Sequence, residues 1–110
     1  MTIKRKSIIL RPTISLKGMK EGDSRFFTLD GPVETRMSQE TDPKTGETVE
    51  KEIRIAPVTD LETGEVGEIV VPFMVDKALA EAEAGPGFRF EMVRGATKNR
   101  TVMWTVYELE

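Results

Sequence analysis

VGEIVVPFMVDKALAEAEAGPG, residues 66–87, is the stretch on which the fold turns. Val66 to Val71 is a short apolar run rich in β-branched residues, the composition of a strand. Pro72 then suits the first position of a helix, where its missing N–H has no partner to lose. From Phe73 to Ala84 the chain is built of alanine, leucine, glutamate and lysine, all good helix formers, with Val75, Ala78, Leu79 and Ala82 on one face. Gly85-Pro86-Gly87 ends the helix. One helix is therefore expected here, entered from a strand and left toward another.

Working outward from that helix, the remaining pattern is all strand and turn. On the N-terminal side Arg25 to Met37 reads as one long strand, with Phe26, Phe27, Thr28, Leu29, Val33 and Thr35. Gly31-Pro32 interrupts it, which predicts a bend or bulge rather than a ladder position. Thr41-Asp42-Pro43-Lys44-Thr45-Gly46-Glu47 has turn chemistry, and Thr59-Asp60-Leu61-Glu62-Thr63-Gly64-Glu65 repeats it. Between the two turns Thr48 to Val58 alternates as a strand. On the C-terminal side Phe88 to Val93 is a strand, Gly95 to Arg100 a basic hairpin loop, and Thr101 to Leu109 the last strand. The order is three strands, one helix, two strands. A ferredoxin-like fold would need a second helix, and a plain sandwich needs none. The expectation is all-β with one helix: a five-stranded, partly open barrel of the oligonucleotide-binding type, β-β-β-α-β-β, whose helix falls between its third and fourth strands. The barrel domain is placed at 23–110. Residues 1–22 form a basic N-terminal arm or edge strand, in which Ile14 and Leu16 alternate with polar neighbours.

Composition narrows the chemistry. The 110 residues contain no cysteine and no histidine. That removes thiol nucleophiles, thiolate metal sites and every Ser-His or Cys-His arrangement. No phosphate-binding glycine motif occurs, and the expectation is a protein that is not an enzyme and needs no cofactor or metal. The net charge of −3 is unevenly spread. Residues 1–25 hold seven basic and two acidic side chains, net +5; residues 26–87 hold five and fourteen, net −9; residues 88–110 hold four and three, net +1. An anionic ligand would meet a local basic face rather than the average. Lys4-Arg5-Lys6 precedes an apolar run too short for a secretion signal or membrane span, so a cytoplasmic location is expected, that of the host cell if the protein is viral.

Single-stranded nucleic acid needs cations along a groove and flat side chains on which bases stack. This chain interleaves the two. Arg25 adjoins Phe26 and Phe27, Arg89 lies between Phe88 and Phe90, and Lys98 and Arg100 precede Trp104 and Tyr107. In a barrel of this type the loops between the first two and the last two strands flank the binding face. Arg36, Arg54, Lys98 and Arg100 are then placed to meet phosphates, with Lys44 in the first loop. The expected contact set is Arg25, Phe27, Arg36, Arg54, Arg89, Lys98, Arg100, Trp104 and Tyr107. Packing competes with stacking at each aromatic position. Phe88 and Phe90 share a strand face and favour the core. Trp104 shares its face with Val102 and Val106, while Tyr107 shares its own with Met103 and Leu109. The order expected for stacking is Phe27, Tyr107, Trp104, Phe26, because Arg25 lends the face of Phe27 a cation.

Three stretches, FFTLDGPVET at 26–35, VTDLETGEVGEIVVP at 58–72 and the closing hairpin from Phe88 to Glu110, together resemble the small single-stranded DNA-binding proteins of bacteriophages. That resemblance implies sequence-independent coating of single strands in DNA replication or recombination, without catalysis. It also implies replication or recombination proteins as partners and leaves a homodimer open, with no membrane association. Many such proteins end in a long acidic tail; this chain ends in a strand with only Glu108 and Glu110. The alternative is a small β-barrel structural or protein-interaction module, such as one of a virion, that docks a protein on its acidic middle.

Overall fold

The computed structural model describes residues 11–110, so Lys4-Arg5-Lys6 and the first ten residues of the expected arm lie outside the described residues. Six strands and one helix follow in order: β1 (Ser24–Leu29), β2 (Glu34–Thr41), β3 (Thr48–Asp60), β4 (Val66–Val70), α1 (Phe73–Glu81), β5 (Arg89–Lys98) and β6 (Thr101–Glu108). All named strands pair antiparallel in a single sheet of order β2-β3-β1-β5-β6, with β4 on β3. The protein is thus mostly β, an open sheet with one helix.

The strand count is six rather than the expected five, and Gly31-Pro32 is the reason. Leu29 pairs with Val58, but Glu34 pairs with Ile55. Four residues, Asp30 to Val33, therefore stand opposite two, Ala56 and Pro57. Proline offers no ladder donor, and Gly31 is buried with Pro57 Cγ only 3.2 Å from where its Cβ would lie. The bend splits the long first strand into β1 and β2 while the partner, β3, runs through it unbroken.

The sheet is also open where the expected barrel would close: among the described residues β4 and β6 are not paired. Chain 12–22 crosses that gap. Ile14 N–H donates to Glu68 O at 2.8 Å, Glu68 N–H to Pro12 O at 2.9 Å, and Gly22 N–H to Arg94 O at 2.8 Å. The edge strand foreseen around Ile14 and Leu16 is reduced to a single parallel bridge, Thr13 to Glu68. Its approach is close, since a Cβ on Gly67 would meet Pro12 O at 2.5 Å. Only glycine lets the arm lie there.

Alternation puts one face of each strand inside. Phe27, Leu29, Ala56, Val58, Ile69, Phe90 and Met92 form the core with Val75 and Leu79 of α1, all essentially without exposed surface. Arg54 ties the helix to the sheet, its Nε donating to Asp76 Oδ2 at 3.1 Å and its Nη1 to Thr35 Oγ1 at 2.7 Å. The last hairpin differs from expectation. β5 does not end at Val93 but continues to Lys98 through a register shift between Arg94 and Thr97. The turn is only Asn99-Arg100, with φ of 49° and 64°, the left-handed pair that matches strand twist in two-residue hairpins. No helix among the described residues is long and apolar enough to cross a membrane.

Candidate nucleic-acid interface

The gap between β4 and β6 is a groove of about 550 Å³. Thr13 to Lys17 of the crossing chain form one wall, Val70 and Pro72 the end of β4, and Arg94, Val102 and Trp104 the opposite wall. Alternation explains the last set. Phe90 and Met92 face the core, so Arg94 continues that side of β5, and Trp104 stands directly opposite it on β6. Here the sheet leaves the core and its inner face becomes accessible, so Trp104 is half-buried rather than enclosed. The ten lining residues include two cations, Lys17 and Arg94, and no carboxylate, although the chain holds 19 acidic side chains.

The expected cations divide into two groups. Arg25, Arg36 and Arg54 are engaged by carboxylates. Arg25 Nη2 lies 2.8 Å from Asp60 Oδ2, and its guanidinium carbon sits 5.4 Å from the centre of the Phe27 ring. Burial alone would raise the Asp60 pKa. The hydrogen bond from Arg25 and those from the Thr63 and Glu62 N–H groups outweigh it and hold the carboxyl below its ordinary value. Arg36 is held by Glu68 at 2.6 and 3.0 Å, a bidentate grip that raises the guanidinium pKa. Arg54 is held by Asp76. Arg89, Lys98 and Arg100, by contrast, are exposed and form no ion pair among the described residues. Lys98 and Arg100 stand at the tip of the hairpin whose base carries Arg94 and Trp104.

The aromatic order changes. Phe27, ranked first for stacking, is wholly buried, with its ring centre 5.9 Å from that of Phe90. Arg25 does share its face, but that face is the interior. Phe26 and Tyr107 lie on the outer surface, on either side of Glu91 in one cross-strand row. Tyr107 is 53% exposed, and Arg89 occupies the next row of the same face. Trp104 lines the groove. Arg94 and Lys17, the groove's two cations, were not foreseen. The available signal for Arg94 was alternation itself, since it stands two residues past Met92 and so on the side of Phe90 and Met92. Comparisons with known proteins return nothing: no protein-family model matches, and neither the curated proteins nor the solved structures contain a significant match.

Proposed function

We propose that the protein binds single-stranded DNA without sequence preference, as a non-catalytic coat protein of replication or recombination, on a partly open barrel of the oligonucleotide-binding type. The observation that carries this reading is the groove. On a net acidic chain it joins an accessible indole to two cations and excludes carboxylates, and the two strands of its β5–β6 wall continue to the hairpin tip that carries Lys98 and Arg100. A base stacked on an aromatic ring gains roughly 1–3 kcal/mol whatever its identity, and nearby cations hold the phosphates. The barrel reading is supported by the position of α1 between β4 and β5, by the bent strand β1–β2 whose first half pairs both β3 and β5, and by the confinement of the opening to one seam.

Trp104 is the chain's single tryptophan, so its fluorescence reports on the groove alone. Titration with oligothymidine is expected to quench it saturably and to be reversed by salt. Fluorescence unchanged by oligothymidine, together with no binding by anisotropy at low salt, overturns the reading and favours the protein-interaction module.

A further inference from the structure

We infer that the protein pairs with a second copy of itself through strand β2, an interface that does not rest on the nucleic-acid reading. Among the described residues the sheet's outer edges are β4, β6, β2 and the far side of residues 48–54 of β3, and the first two are covered in part. β4 is bridged by Thr13, and α1 lies against β6. Among the described residues β2 pairs only with β3, and of its residues every one but Ser38 is exposed. The ribbon it forms with the first half of β3 is open on both faces apart from the Arg36–Glu68 pair: Met37 is 59% exposed on one side and Val49 57% on the other. A lone two-stranded ribbon is marginal in water, and a bare edge of eight residues without proline is a template for another strand.

The charges of β2 choose the occupant and its register. Around a two-fold axis, antiparallel pairing of β2 with itself places residues facing each other in reciprocal pairs. Centred on Met37, Glu34 would face Glu40 of the second copy twice, which is repulsive. Centred on Ser38, Arg36 faces Glu40 of the second copy twice inside the strand, which is attractive, while the like-charged Glu34 and Asp42 meet only where the strand ends. Glu68 already holds Arg36 on that face through two of its five donors, leaving others to reach across. The result is a four-stranded ribbon, β3-β2-β2-β3, in which the two Ser38 residues are direct neighbours.

Because the chain has no cysteine, single cysteines read this register cleanly. Facing residues in an antiparallel pair have Cα atoms about 4.5–5.5 Å apart, within disulfide range. Sedimentation equilibrium of the wild type is expected to give twice 12.3 kDa. Under mild oxidation Ser38→Cys is expected to crosslink to completion and Glu34→Cys not to crosslink. Glu40→Arg is expected to weaken the dimer roughly tenfold, by turning two attractive pairs into repulsive ones, and Arg36→Glu with Glu40→Arg to restore it. Far-UV circular dichroism checks that each variant is folded. A wild type monomeric at every concentration, equal crosslinking of the two cysteines, or a double variant no better than Glu40→Arg overturns the proposal.

Discussion

Phe27 has no exposed surface, and its ring packs against Phe90 in the middle of the core. Phe27→Ala is expected to cost about 3–5 kcal/mol of stability, read as a lower urea midpoint, with oligothymidine affinity per folded molecule unchanged. Trp104 is expected to behave in the opposite sense. Trp104→Ala removes the aromatic wall of the groove, so affinity should fall by roughly 1–3 kcal/mol, and the stability loss should be smaller than that of Phe27→Ala because the indole is only half-buried. If Trp104→Ala costs as much stability as Phe27→Ala while leaving affinity per folded molecule unchanged, the indole is a core residue alone. The identity of a residue does not decide between these fates. Phe26 and Phe27 are the same side chain one position apart, and alternation sends one outward and the other in.

Among the elements, the crossing chain and the β3–β4 turn show how single contacts hold the groove's frame. Gly67 of β4 is where Pro12 and Ile14 press closest. Gly67→Ala sets a methyl group against a backbone oxygen, and the expected outcome is a loss of about 1–3 kcal/mol with freer exchange of the Ile14 amide. Exchange and midpoint both unchanged would show that the arm yields without cost. At the turn, Asp60 is buried, bonded to Arg25 and to two backbone N–H groups of its own turn. Its folded pKa lies below the unfolded value of 3.8. The stabilisation is therefore present in full above that value and is lost as pH falls through the folded pKa. Asp60→Asn is expected to lower stability by about 2–3 kcal/mol at neutral pH, and denaturation midpoints of variant and wild type should converge in acid. A gap that stays constant from pH 7 to pH 2 would exclude the ion pair as its source.

For the whole molecule, the charge distribution sets the salt response. Arg25, Arg36 and Arg54 already have carboxylate partners, whereas Lys17, Arg94, Lys98 and Arg100 make no ion pair among the described residues. Four phosphate contacts correspond to a log–log slope of about −3 for single strands, at roughly −0.7 per contact. Arg94→Gln together with Lys98→Gln should make the slope shallower by about 1.4, while Arg54→Gln should leave it unchanged. A slope insensitive to Arg94 and Lys98 would move the phosphate path elsewhere on the surface.

The sequence by itself determined the helix and the turns of this protein. Pro72 and Gly85-Pro86-Gly87 bracket the helix, the two T-D-x-x-T-G-E turns bound β3, and alternation put Phe88 and Phe90 on one face that favours the core. These are local signals, set by backbone preferences and by the two-residue period of a strand. Only the tertiary structure decided the rest: the split at Gly31-Pro32, the open seam between β4 and β6, the burial of Phe27, and the partners that occupy Arg25, Arg36 and Arg54. Asp60 is 35 residues from Arg25, Glu68 is 32 from Arg36, and Asp76 is 22 from Arg54. Strand alternation says which residues share a face. Whether that face meets core, carboxylate or water depends on which distant strand the register brings beside it, and that is a property of the assembled sheet.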